Sequence, residues 1–343
     1  PHNTARLDMA LWKGWESNAR AVIPLVDEGW QKLAEARIAL REMDGGVDGK
    51  IAAVPAALAQ DPGLAYERFR WRVRKGRRED AIALLLERSK SAESLGEPWA
   101  WADYRHNLAH ARMRAGAPQE AYRIASEHWL SEGSDYAELE WLSGYIALRY
   151  LKNPQTALRH FRNHQGAVDT PISLGRAGYW IGVALEATGD KDGAQQAYAQ
   201  GARYQTSFYG LLAAERGGIA PDPRLSGKED FPDWHGAAFT ESSVYKAAIL
   251  LLASGELTLG ERFLTHLAEG LDRQQIGQLG NMLAEMERPH VQVMVGKRAA
   301  RYGMELPGPY YALHPDILKA EFPVPKEMVL AIARREAEFD PLV

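Results

Sequence analysis

The chain has 343 residues, 46% hydrophobic and 25% charged, which are ordinary globular proportions and leave room for two or three domains or one extended array. A net charge of −4 argues against a general nucleic-acid binder, and the absence of any apolar run of eighteen residues argues against a membrane span. With no cysteine there are no disulfides and no thiolate metal sites, although this leaves the compartment open.

Along the chain the apolar spacing is helical and no strand pattern stands out. The first sixty residues carry the least specific signal. Residues 68–78 then place seven basic side chains in eleven positions: Arg68, Arg70, Arg72, Arg74, Lys75, Arg77 and Arg78. That pattern reads first as a solvated helix face and second as a contact for anionic peptide or nucleic acid. His106 and His110 have the spacing of a zinc-binding helix. They lack the Glu of His-Glu-x-x-His and any evident third ligand, so no metal is expected. No phosphate-cradling loop is present, and no cofactor is expected.

Small residues reveal an internal repeat. Gly76 is followed five positions later by Ala81, and the same step recurs at Gly116 and Ala121, Lys152 and Ala157, Gly189 and Ala194, and Gly255 and Gly260. Four positions after each second residue stand Leu85, Ala125, Phe161, Tyr198 and Leu264. The first four units are 40, 36 and 37 residues apart. A residue that tolerates positive φ ends one helix, a small residue lets the next approach, and a larger one fills the groove. The expected fold is therefore all-α: an irregular, TPR-like stack of helix hairpins forming a superhelix, or α-solenoid. Tyr179, Trp180, Phe208 and Tyr209 fall at helical spacing within it and are read as core rather than as a ligand platform.

Residues 217–240 contain Gly217, Gly218, Pro221, Pro223, Gly227, Pro232 and Gly236 and read as a long loop. A second break at Leu306-Pro307-Gly308-Pro309 separates the array, residues 1–305, from a linker over 306–324. The final segment, 325–343, reads as one more helix, opened by Pro325 and closed by Asp340-Pro341. Val329, Ile332, Ala333, Glu336 and Phe339 follow the spacing of one helical face, with Glu327, Arg334, Arg335 and Glu338 opposite. Glu336 is thus expected to point into a core, where desolvation would raise its pKa and suit it to act as a general acid. Glu338 is two positions on and faces away, so it cannot be its partner.

Arg334-Arg335-Glu336-Ala337-Glu338-Phe339-Asp340-Pro341 resembles the first catalytic motif of the soluble lytic murein transglycosylases of the Slt type, an apolar helix running into Arg-x-Glu-Ser-x-Phe/Trp-x-Pro. Ala337 stands where that family has Ser, so no hydroxyl is available there. The array carries a second resemblance to the same family in Phe208-Tyr209-Gly210-Leu211-Leu212-Ala213-Ala214, and further ones near residues 140–149, 170–173 and 176–182. The resemblance spans roughly residues 60–343. It implies that residues 325–343 are the opening helix of a lysozyme-like catalytic domain. The implied reaction is cleavage of the β-1,4 bond between N-acetylmuramic acid and N-acetylglucosamine, yielding a 1,6-anhydro end. Glu336 would be the single acid/base. Implied partners are peptidoglycan glycan strands and other cell-wall enzymes, and the implied location is the periplasm. The family's later motifs, a Gly-Leu-Met-Gln-type stretch, an Asn-containing loop and a late Tyr, should follow Glu336, but only seven residues do. The chain alone is therefore expected to be inactive, or to be part of a longer protein. A non-catalytic scaffold that binds glycan or proteins is the competing reading, and a cytoplasmic repeat adaptor is a third.

Overall fold

The computed structural model describes residues 2–340, and they form helices, turns and loops with no strand among them. The first unit contains α1 (His2–Lys13), α2 (Glu16–Val22), α3 (Glu28–Glu42), α4 (Val47–Ala52), α5 (Pro62–Arg74), α6 (Arg78–Arg88), α7 (Ala92–Leu95), α8 (Ala102–Arg114), α9 (Pro118–Ser126), α10 (Gly133–Arg149) and α11 (Pro154–Gly166). The hairpin of α12 (Pro171–Thr188) and α13 (Lys191–Gly201) is divided between two compact units, residues 183–194 belonging with the first and the rest with the second. The second unit continues through α14 (Phe208–Arg216), α15 (Ser243–Ala253), α16 (Leu257–Leu267), α17 (Arg273–Glu285), α18 (Pro289–Arg301), α19 (Pro307–Tyr310), α20 (Pro315–Lys319) and α21 (Lys326–Glu336).

The repeat predicted from small residues is the hairpin turn itself. Gly76, Gly116, Gly189 and Gly255 have φ of 73°, 77°, 88° and 86°, and Lys152 reaches 54° without being glycine. A left-handed residue after the last helical turn lets the next N–H reach back to an orphaned carbonyl. Arg77 N–H donates to Arg72 O at 2.9 Å, Ala117 to Arg112 at 3.0 Å, Asp190 to Leu185 at 3.0 Å and Glu256 to Leu251 at 2.9 Å. The next residues of the pattern fill the hairpin: Ala81, Ala121 and Ala157 are fully buried, as are Leu85, Ala125, Phe161 and Leu264. Glycines on the first helix of a pair make room for the large residue of the second. A β-carbon at Gly144 would stand 2.6 Å from the Phe161 ring, and Gly182 is similarly closed off by the Tyr198 ring.

The hairpin of α17 and α18 departs from that pattern. Between α17 and α18 the left-handed position is Glu287, at φ 50°, with Arg288 N–H donating to Leu283 O at 2.9 Å. Here the residue five positions on is Gln292 and the small one, Gly296, comes nine positions on, so the order of small and large is reversed. Gly296 meets not its hairpin partner but the backbone of Tyr310, whose N would lie 2.6 Å from an added β-carbon.

Residues 217–240 form a loop with short 3₁₀ turns at Pro223–Ser226 and Ala238–Glu241. Side chains pin it to α17: Arg273 pairs with Glu229 at 2.6 Å, Gln278 Nε2–H donates to Asp233 O at 2.9 Å, and Trp234 Nε1–H donates to Glu285 at 3.0 Å. Residues 306–324, read from the sequence as a linker, hold α19 and α20. Leu306 is buried there, and Pro309 lies against Gly280.

Candidate active site

The helix α21 forms for reasons visible in its residues. Pro325 precedes it with φ −56°, Glu327 lies in its first turn, and Arg334 and Arg335 lie in its last, each complementing the helix dipole. It ends at Glu336. Ala337 N–H donates to Ala333 O at 3.1 Å, and Glu338 and Phe339 then take left-handed φ of 54° and 61°. Pro341, the last residue of the motif, lies outside the described residues.

The side of α21 that is packed is set by Arg334 and Phe339. Arg334 Nε–H donates to Tyr310 O at 2.7 Å, and its guanidinium lies 4.5 Å and 4.6 Å from the ring centres of Tyr310 and Tyr311. Tyr311 O–H donates to Thr206 O at 2.5 Å, and burial pushes its phenol up to about 12. Phe339 is buried with Val293 and Ala312, against Ile317, Leu330 and Ala333.

Glu336 is exposed, which corrects the expectation of a desolvated carboxylate. It makes no hydrogen bond or ion pair with the described residues. Met328 and Ile332, 53% and 55% exposed, lie on the same side of α21 at four-residue spacing. The apolar residues 328–330, 332 and 333 wrap more than half the helix, so spacing alone leaves two candidate faces. The anchoring of Arg334 and Phe339 selects the one centred on Leu330 and Ala333. Glu336 falls at its border. No hydrogen bond or ion pair joins Glu336 to Glu338. The Glu338 carboxylate pairs with Lys297.

His290, Lys297 and Glu261 were not singled out in the sequence. His290 Nδ1–H donates to Glu338 O at 2.9 Å, and its Nε2 lies 3.0 Å from Glu261 Oε2. The residues 290, 293 and 297 share one face of α18, but no sequence signal ties that face to a segment forty residues on. A cleft of about 200 Å³ beside them is lined by Leu252, Leu257, His290, His314, Phe339 and Asp340, among others.

Much of the basic segment 68–78 is engaged internally: Arg70 with Glu67, Arg72 with Asp80 O at 2.9 Å, Arg74 with Arg41 O at 2.6 Å, and Arg77 with Asp80. His106 and His110 pack edge to face at 4.6 Å, and among the described residues no group of three His, Asp or Glu could hold a metal. Trp180 is core, as read, whereas Tyr179 and Tyr209 are half-buried. Phe208 is 69% exposed, which corrects its assignment to the core; it sits at the first position of α14 while the packed positions are Gly210, Ala213 and Ala214.

No protein-family description matches this sequence, and no curated protein matches it. Among solved structures, an inactive mutant of the lytic transglycosylase Slt from Pseudomonas aeruginosa aligns with 98% of this chain and 53% of its own, at a TM-score of 0.61 and 15% identity. This chain has a lytic-transglycosylase-like fold. A complex of the 70-kDa soluble lytic transglycosylase with bulgecin A aligns with 99% of this chain and 66% of its own, at a TM-score of 0.40 and 14% identity. The chain thus spans about half the length of the Pseudomonas lytic transglycosylase it resembles. No described helix of this lytic-transglycosylase-like chain is long and apolar enough to cross a membrane.

Proposed function

We propose that this chain is the helical array, residues 1–305, the connecting segment, 306–324, and the opening catalytic helix, 325–343, of a periplasmic peptidoglycan lytic transglycosylase. The observation that carries the reading is the likeness to the Slt fold over 98% of the chain, with the Arg334-x-Glu336 motif at a helix end. The neighbour with that fold is described as an inactive mutant in which glutamine replaces a glutamate, which fits a mechanism resting on one Glu.

In this reading Glu336 protonates the glycosidic oxygen between N-acetylmuramic acid and N-acetylglucosamine. The substrate's N-acetyl group stabilises the oxocarbenium-like centre from the opposite side. The resulting carboxylate then takes the proton of the C6 hydroxyl, which attacks the anomeric carbon and closes the 1,6-anhydro ring. This belongs with the substrate-assisted exceptions to paired-carboxylate glycosidases. Glu336 as described is solvated, so it needs residues from outside the described chain to cover Met328 and Ile332, desolvate the carboxylate and hold a sugar against it. The helical array binds glycan strands and docks partner enzymes.

The test has two parts. The intact mass of the native protein should lie well above 38.2 kDa. In that longer protein Glu336→Gln should abolish release of anhydromuropeptides. The exposure of Glu336 also favours a second reading, a glycan- or protein-binding scaffold without catalysis. A native mass of 38.2 kDa with retained peptidoglycan pull-down would establish that one instead.

A further inference from the structure

Glu338 and Phe339, two consecutive residues with β-carbons, hold left-handed backbone directly behind Glu336. Such a conformation persists only where the surroundings impose it, and it concentrates at functional sites. Here it is imposed by one stripe of α18. His290 donates from Nδ1 to the Glu338 carbonyl at 2.9 Å, and Lys297, two helical turns further on, pairs with the Glu338 carboxylate. Val293 lies between them and is buried against Phe339. The main chain and the side chain of one residue are thus held from two points of a rigid helix.

His290 is itself braced. Its Nε2 faces Glu261 Oε2 of α16 at 3.0 Å. A backbone carbonyl can only accept, so Nδ1 carries the proton of the bond to Glu338. The other charged or titratable groups lining the cleft beside His290 are Glu287 and Arg288 in the turn before α18, His314 before α20, and Asp340 after α21.

We propose that His290 and Lys297 are positioning residues for Glu336. They hold the turn over residues 337–340, and through it the last turn of α21, in one orientation, so that the acid/base is aimed before a substrate arrives. Neither residue makes a hydrogen bond or ion pair with Glu336; both act on Glu338. The proposal rests on reading Glu336 as the acid/base, but the clamp itself is a property of the chain that can be measured without turnover.

The experiment is hydrogen–deuterium exchange on the 343-residue chain, read at residues 334–340, where Glu338 N–H donates to Arg334 O and Asp340 N–H to Ala337 O. His290→Gln and Lys297→Met should each speed exchange there by about tenfold while leaving α17 unchanged, and Lys297→Arg should keep the protection. Glu261→Gln, whose amide can still hydrogen-bond Nε2, should also keep it. Unchanged exchange in both His290→Gln and Lys297→Met overturns the clamp. In the longer enzyme the same two variants should lower kcat with KM unchanged, and Lys297→Arg should restore kcat. Loss of KM alone would overturn a positioning role. If exchange responds but Glu336→Gln leaves turnover intact, the clamp stands and the functional reading falls.

Discussion

His160 Nδ1–H donates to Glu140 Oε2 at 2.6 Å inside the first unit, and the carboxylate so held is the centre of a buried polar network. His128 Nε2–H reaches Oε1 at 3.2 Å, its tautomer set because Nδ1 accepts from Leu130 N–H. Asn163 Nδ2–H also reaches Oε2, and Tyr122 O–H donates to His160 Nε2 at 2.9 Å. Elements α9, α10 and α11 and the 127–132 turn meet at this point.

Burial alone would raise the Glu140 carboxyl, but the bonds from His128 and His160 outweigh it and hold it at about 2, against an ordinary 4.5. A group depressed in the folded state contributes stability that is full above its unfolded value and is lost as pH falls through the folded one. The contribution is therefore present above about 4.5 and disappears toward 2. Urea unfolding of Glu140→Gln should show a loss on the order of 3 kcal/mol near neutrality. The gap to the parent chain should close as pH falls through that window. A gap that stays constant with pH would contradict the assignment.

Gly144→Ala should destabilise the α10–α11 hairpin by about 1–3 kcal/mol, because the new methyl has the fully buried Phe161 ring in its place. Combining it with Phe161→Leu should cost less than the two changes added together, since each creates the space or volume the other lacks. Thermal melts of the four chains in this cycle measure the coupling.

Lys152 holds the left-handed turn position that Gly76, Gly116, Gly189 and Gly255 hold in the other units of the repeat. Lys152→Gly should relieve about 1–2 kcal/mol of backbone strain and return part of it through the freer unfolded chain. The expected net is a stabilisation of about 0.5–1 kcal/mol. Lys152→Val should go the other way, and the midpoints of urea unfolding order the three.

Glu336→Gln should leave the stability of the 343-residue chain within about 0.5 kcal/mol of the parent, because the side chain is exposed and has no partner among the described residues. Phe339→Ala, in contrast, empties a buried position among Val293, Ala312, Leu330 and Ala333 and should release α21. Limited proteolysis near residue 337 detects that release directly.

The sequence by itself determined the hairpins, because their turns need one residue at positive φ and their interiors need small residues at a fixed distance. Both demands are local, and they left Gly76, Gly116, Gly189 and Gly255 in register. The same rule passed over the α17–α18 hairpin, where Glu287 takes the left-handed position and Gly296 serves the Tyr310 backbone instead. The helix before Glu336 was legible in the same way, although it ends at Glu336 and not at Asp340. Only the tertiary structure decided which side of α21 is packed. Apolar residues wrap more than half of that helix, and the choice falls to Arg334 on Tyr310 and Tyr311 and to Phe339 against Val293, contacts between segments dozens of residues apart. Side-chain spacing carries no information about such contacts, which is why Glu336 emerged exposed and why His290 and Lys297 became visible only in three dimensions.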